Sequence, residues 1–500
     1  MRKKKLAKNT IASLVYQITT VFCGFVLPRY ILQYFGSEVN GLVNSIEQFL
    51  AIITFFELGI GAVVQSSLYK PLAEKDNAQI SRILTSAGKF FSKLARILLI
   101  YVIALIVVYP YISKKDFGGM YTAMLIAAIS ISYFAQYYFG MVDMLLLTAD
   151  QKGYIQYNIK TITLLINTMF CVGLIKIGAS IHAVKLTTSV VFLARPFFLR
   201  RYVNKNYYVD RNIHYQGEPI KQKWNGVAQH VAAVVLDSTD TIVLTLFSSL
   251  ASVSIYAVYF LVVNGIKKLL LSMTNGIHAL IGELWAKQEL DDLKSLFGWT
   301  EWTIHTITTF VFGCTGVLLI PFVRVYTLGI TDAQYIQPLF AALLTAAHAG
   351  HCLRLPYNIM ILSAGHYKQT QNNYIVAAVM NVVISVLSVK LFGLIGVAVG
   401  TLVSMMYQTI WMALYTSKNL IKWPFSSFLK QITIDIITVV LATCASRILV
   451  LHSETYGALF ELALGVAIIW ILILLIVNMV FYRAKITFLL KSLKVFLVHW

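Results

Sequence analysis

The chain has 500 residues, 58% of them hydrophobic and only 12% charged, with a mean hydropathy of +0.74. A soluble chain of this length needs far more charge to cover its surface, so a soluble globular protein is excluded. The formal charge of +20, from 41 Lys and Arg against 21 Asp and Glu, would suit nucleic acid, but its distribution along the chain reads as membrane topology instead.

The N-terminus, MRKKKLAKNT, is basic and then apolar. The apolar run is too long for a removed signal peptide and lacks a small-residue cleavage site, so it reads as a retained first span. Fourteen apolar segments follow one another, at 9–33, 40–67, 88–111, 120–147, 158–177, 179–201, 226–248, 254–280, 301–322, 335–360, 371–391, 393–416, 430–451 and 457–482. Each is long enough for a transmembrane helix, which makes the expected fold class all-α integral membrane. Residues 484–500, AKITFLLKSLKVFLVHW, are too short to span and alternate bases with apolar residues at helical spacing, as in a helix lying on a membrane surface.

Thirty of the Lys and Arg residues belong to the termini and to the connections after even-numbered segments, and six to the opposite face: Lys114, Lys115, Lys176, Arg324, Lys390 and Arg447. The positive-inside rule then puts both termini in the cytoplasm of a multi-pass protein of the bacterial cytoplasmic membrane. The basic excess is a topological device and a contact for anionic lipid, and no nucleic-acid partner is expected. All connections are short, so no independent catalytic domain is expected.

The chain repeats itself. LLLTADQKGYIQYN at 145–158 matches MILSAGHYKQTQNN at 360–373, with Ala149 on Ala364, Gln156 on Gln371 and Asn158 on Asn373. Gly178 falls on Gly393 and Ala183 on Ala398, VNSI at 43–46 on VNGI at 263–266, and Gly59 and Ile60 on Gly276 and Ile277. The first six segments and the next six are therefore two copies of one unit. Because six is even they are parallel repeats, of the kind that encloses a central cavity. The expected division is a six-helix bundle at 1–205, a cytoplasmic linker at 206–225, a second bundle at 226–418, two additional helices at 419–483 and the amphipathic tail at 484–500.

LPRYILQYFGSEVNGL, ELGIGAVVQSSLYKPLAEKD, the LLLTADQK and MILSAGHYK segment ends, and FGLIGVAVGTLVS stand in the order and spacing of a known family. The chain resembles the Wzx-type polysaccharide flippases of the multidrug/oligosaccharidyl-lipid/polysaccharide exporter superfamily. The resemblance implies two six-helix bundles about a cavity. It also implies translocation, by alternating access, of an oligosaccharide carried on undecaprenyl diphosphate, with glycan polymerase and assembly proteins as partners. The related lipid II flippases carry an arginine in their first helix; aligned on Phe35 and Gly36, that position here is Leu27.

Charges inside apolar segments are the candidate functional residues, because they are costly there unless paired or facing water. Asp237 and Asp240 share a face, and Lys267 and Lys268 lie at comparable depth in the next segment; an interhelical ion pair and a lumen-lining role are compatible for them. Arg29 follows Pro28 and can snorkel or line the lumen. Arg354, before Pro356, lies deeper and is read as a lumen base for the diphosphate. Glu47 and Glu57, about three turns apart, are candidates for coupling to a proton or Na⁺, against the alternative of pairing with a base on the first or eighth segment. Asp143, near a segment end, is read as solvated.

Cys23, Cys171, Cys314, Cys352 and Cys444 are scattered through apolar runs and read as small buried hydrophobes, with no disulfide or metal pattern. His348 and His351 are three apart, which would permit shared ligation, but these two, with His230 and His305, are read as core or lumen histidines. No P-loop, nucleophile or cofactor motif is seen, so no enzyme is expected. The rival readings are a cation-coupled multidrug exporter of the same superfamily, an integral-membrane glycan polymerase or transferase, and a scaffold in a glycan assembly complex.

Overall fold

A computed structural model describes residues 2–113, 117–214, 217, 220 and 227–488. The described residues form helices and connections with no strand. In the first half these are α1 (Arg2–Ala51), α2 (Thr54–Glu74), α3 (Asn77–Ile112), α4 (Gly119–Ala135), a π-helical turn (Gln136–Gly140), α5 (Met141–Ala149), α6 (Gly153–Lys176) and α7 (Ile181–Asn206). Then come α8 (Val227–Phe247), α9 (Leu250–Met273), α10 (Asn275–Lys287), α11 (Leu290–Tyr326), α12 (Pro338–Leu353), α13 (Leu355–Ser363), α14 (Tyr367–Phe392) and α15 (Leu394–Asn419). The last two are α16 (Phe425–Ser446) and α17 (Tyr456–Phe481).

Ten of the described helices are long and apolar enough to cross a membrane. The fourteen predicted segments reappear in modified form. The predicted break at 34–39 is no loop: α1 runs through it, redirected at Gly36, whose φ of 82° is left-handed. Ser37 restarts the helix, its N–H and Oγ donating to the two carboxylate oxygens of Asp332 at 2.6 and 2.7 Å. The segment predicted at 40–67 is instead interrupted at 52–53, between α1 and α2. The predicted 335–360 is cut at Arg354, where Pro356 cannot donate to the carbonyl four residues back.

The stretches aligned as repeats fold alike. Lys75 ends α2 at φ 57° and Gln288 ends α10 at φ 59°; each is followed by one acidic residue, Asp76 or Glu289, and then a long helix. Asp76 caps its helix, accepting from Gln79 N at 2.9 Å. The fourth helix is interrupted in both copies, by the π turn after α4 and by the break between α12 and α13. The packed pairs also correspond: α2 with α3 and α5, α3 with α4, α4 with α7 and α6 with α7; then α10 with α11 and α13, α11 with α12, α12 with α15 and α14 with α15.

FGLIGVAVG shows why glycine is needed where α14 and α15 meet. A Cβ on Gly396 would lie 2.5 Å from Ser388 O, and one on Gly400 2.3 Å from Ser385 Oγ. Small residues one turn apart let two backbones approach, which is a main source of helix association in lipid.

The chain divides into two compact units, 1–257 with 330–333 and 258–329 with 334–500. In the first, polar side chains tie helices within an apolar core: Tyr109 OH and Thr245 Oγ1 both donate to Ser45 Oγ, at 2.7 and 2.8 Å, and Asn40 Nδ2 donates to Ser254 Oγ at 2.8 Å. At one end Asp150 gathers Lys5, Lys152 and Tyr207, with Oδ2 2.8 Å from Lys152 Nζ. Burial alone would raise its carboxyl, but the Lys152 and Tyr207 hydrogen bonds and both lysine charges hold it below the usual carboxylate value.

In the second unit α16 and α17 are fastened to α11. Trp470 is fully buried against Gly313, where a Cβ would lie 1.9 Å from the indole. Glu301 accepts from Tyr357 OH at 2.5 Å and Trp423 Nε1 at 3.0 Å. His305 Nδ1 donates to Asp435 Oδ2 at 2.6 Å, and Trp302 Nε1 to Asn478 Oδ1 at 2.7 Å. After α17, residues 483–488 are helical; the rest of the predicted amphipathic tail lies outside the described residues, as does part of the predicted linker.

Candidate functional site

Within the second unit the structure gathers four basic side chains in a buried position. Lys267 comes from α9, His348 and His351 from one face of α12, and Arg354 from the break that follows. Lys267 is 2% exposed, His348 3% and Arg354 6%. Arg354 Nη2 donates to His351 Nδ1 at 2.9 Å, and Nη1 lies 3.7 Å from Met405 Sδ. A guanidinium only donates, so His351 accepts at Nδ1 and is neutral, with its proton on Nε2. The break matters here, because it ends one helix at Arg354 and starts another. Lys268 does not share the site: it is exposed, on a different side of α9.

Within the first unit a cavity of about 320 Å³ is lined by Glu47, Gln136, Lys160, Lys185 and Arg195. Lys185 Nζ lies 2.8 Å from Glu47 Oε1, and only 8% of that lysine side chain is exposed. Arg195 donates from Nε to Thr163 Oγ1 at 2.7 Å and stacks on Phe192, 3.5 Å from the ring centre. Gln136 is the first residue of the π turn, a distortion that re-aims side chains in a helix wall. Three bases face one acid, so the cavity favours an anionic guest.

The base on Glu47 therefore comes from α7, whereas a base on the first or eighth segment was expected. Asp240 is buried in the first unit and accepts from Tyr256 OH at 3.0 Å. The side chains of Glu57 and Asp237 lie outside the described residues. Arg29 is half-buried on α1. Asp143 corrects an expectation: it is fully buried, not solvated, and accepts from Arg211 Nη2 at 2.6 Å. Burial of every cysteine is corrected too, since Cys444 is exposed on α16.

Lys160, Lys185 and Arg195 were not singled out from sequence. Lys185 had a signal, being a lone charge in an apolar run. The repeat adds another: the alignment of Ala183 with Ala398 puts Lys185 where the second copy has Gly400, and that of 43–46 with 263–266 puts Glu47 where it has Lys267. The position that holds the acid of a salt bridge in one copy holds a base of the cluster in the other, while the lysine of that bridge has glycine as its counterpart.

No family model matches the chain, and no curated protein matches it by sequence. Solved structures do match in fold. A lipid II flippase, MurJ, in an inward closed conformation superposes with a TM-score of 0.68 at 14% identity, covering 96% of this chain and 99% of that one. An inward-facing multidrug resistance MATE family transporter of the MOP superfamily gives 0.62 at 15% identity, over 80% and 94% of the two chains. A eukaryotic MATE transporter gives 0.58 at 11% identity, over 87% and 99%. At these identities the likeness is one of fold, and the chain has the all-helical membrane fold of MOP-type flippases and exporters.

Proposed function

We propose that the chain is a flippase that moves an oligosaccharide on undecaprenyl diphosphate across the cytoplasmic membrane for surface polysaccharide synthesis. It does so by alternating access, with both termini cytoplasmic and driven by an ion gradient or the membrane potential. The observation that carries this reading is the buried gathering of Lys267, His348, His351 and Arg354. Buried cations inside a membrane protein are costly and mark functional sites. A diphosphate leaving water needs charge-assisted hydrogen bonds; Arg354 offers a planar fork of donors and Lys267 a compact charge. The fold likeness to a lipid II flippase supports a cargo whose headgroup is carried on lipid. No bond is broken in such a step, so the residues only bind and release. Glu47 and Asp240 are the ion-coupling candidates with described side chains, and at Glu47 a coupling ion would compete with Lys185.

Complementation of a flippase-deficient strain tests the proposal, with surface polysaccharide and membrane protein level measured together. Arg354→Ala and Lys267→Ala should each reduce export at normal protein level, and Lys268→Ala should not. Full export from a normally expressed Arg354→Ala, Lys267→Ala double variant would refute it. The MATE likenesses favour drug export as the second reading. That reading gains if the chain confers drug resistance and does not restore polysaccharide.

A further inference from the structure

The first unit also carries a groove of about 1090 Å³, formed by α3, the π turn and α7, that the proposed transport does not use. It has two kinds of wall. Tyr138, Phe139, Leu193 and Phe197 are apolar and 43–65% exposed. In a chain of this class such faces meet lipid. The other wall is basic, with Lys89 and Arg96 from α3, Arg200 from α7 and Arg211 from the segment after it.

On α3 the lining residues Thr85, Gly88, Lys89, Ser92 and Arg96 share one face, so a polar, small-residue stripe faces the groove. Gly88 is not needed for packing, since a Cβ there would meet nothing within 4 Å. Its effect is to leave the groove open. Arg96 and Lys89 are both exposed, with Arg96 Nε donating to Ser92 O at 3.4 Å. Among the described residues two carboxylates lie beside the basic wall: Asp143, buried and bonded to Arg211, and Asp210, which accepts from Asn212 N at 2.9 Å; four bases against these two leave the wall positive.

We propose that this groove holds one anionic phospholipid of the surrounding leaflet. Its phosphate lies among Lys89, Arg96 and Arg200, and an acyl chain runs over Tyr138, Phe139, Leu193 and Phe197. The volume is slightly above the range of about 300–1,000 Å³ that encloses drug-sized ligands, enough for a headgroup and the first part of its chains. Basic pockets between transmembrane helices recognise anionic headgroups in this way. The site is independent of the cargo, because none of its residues belongs to the basic cluster of the second unit.

Native mass spectrometry of the full-length protein in detergent tests the proposal, with phosphatidylglycerol and phosphatidylcholine as probes. The wild type should retain one phosphatidylglycerol per chain in preference to phosphatidylcholine. Lys89→Ala with Arg96→Ala should weaken phosphatidylglycerol binding about 30-fold, the equivalent of about 1 kcal/mol for each base. Gly88→Phe, which fills the groove from an unpacked position, should lower retention while both bases remain. Equal retention of the two lipids, unchanged binding in the double variant, or displacement of phosphatidylglycerol by an equimolar polyprenyl diphosphate would each overturn it.

Discussion

Arg211→Gln should be among the most destabilising changes in the segment that follows α7. Asp143 has no exposed side-chain surface, and Arg211 reaches it at 2.6 Å with 23% of its own side chain exposed. The second carboxylate oxygen, Oδ2, has no hydrogen-bond partner among the described residues. Removing the guanidinium therefore leaves a buried carboxylate with no bonded partner and only the charge of Arg200 nearby to balance it. Breaking a buried pair from one side costs about 3–5 kcal/mol, and partial exposure of the arginine places this pair at about 3 kcal/mol. At about 2–4 °C per kcal/mol for a unit of this size, the thermal midpoint should fall by about 6–12 °C. The assay is loss of the monodisperse peak in size-exclusion chromatography after heating in detergent. Asp143→Asn combined with Arg211→Gln should recover most of the loss, since no charge is then stranded. An Arg211→Gln midpoint within a degree of wild type, or a double variant as unstable as the two single losses added, would refute the reasoning.

Gly36→Ala should also lower the midpoint. The left-handed conformation costs an alanine about 1–2 kcal/mol, and its Cβ would lie 2.8 Å from Asp332 Oδ2; a midpoint equal to wild type would contradict both. Gly313→Ala should destabilise by about 1–3 kcal/mol through its clash with Trp470, while Gly316→Ala, whose nearest neighbour would be Thr345 Cγ2 at 3.8 Å, should be neutral in the same melt. Lys485, beyond α17, donates to Gly298 O at 2.7 Å beside Trp299, Trp302 and Tyr482, and burial lowers its ammonium to about 8. Its folded value lies below the ordinary 10.5, so the cost of burying the charge is complete below pH 8 and gone above 10.5. Melting between those limits should show stability rising with pH in the wild type, and a flatter profile in Lys485→Met.

Much of the fold was legible because a membrane helix announces itself by length and apolarity, and because the repeat fixed which segments correspond. Its breaks were less legible. The break expected at 34–39 does contain the turn at Gly36, but only the positive φ and the distant Asp332 show that the chain turns there without a loop. Nothing local marks the π turn at 136–140. The site was half legible. Arg354 and Lys267 stood out as charges in apolar runs and do come together, but Lys267–Lys268 was read as a pair. Adjacent residues on a helix point about 100° apart, so one is buried and the other exposed. Asp143 and Glu47 find their partners 68 and 138 residues away, at Arg211 and Lys185, and no local pattern encodes such a meeting.

The fastening of α16 and α17 to α11 bears on how the chain can be made and shortened. These helices are synthesised after α11, so α11 reaches the membrane before Asp435, Asn478 and Trp423 exist. Until then His305, Trp302 and Glu301 lack the partners they have in the finished protein. In hydrocarbon an unsatisfied polar group costs several kcal/mol. A chain stopped after α15 would therefore keep its repeat complete yet leave His305 and Trp302 without these partners and Glu301 with Tyr357 alone. A twelve-helix descendant would need apolar residues at 301, 302 and 305 before it could dispense with the last two helices.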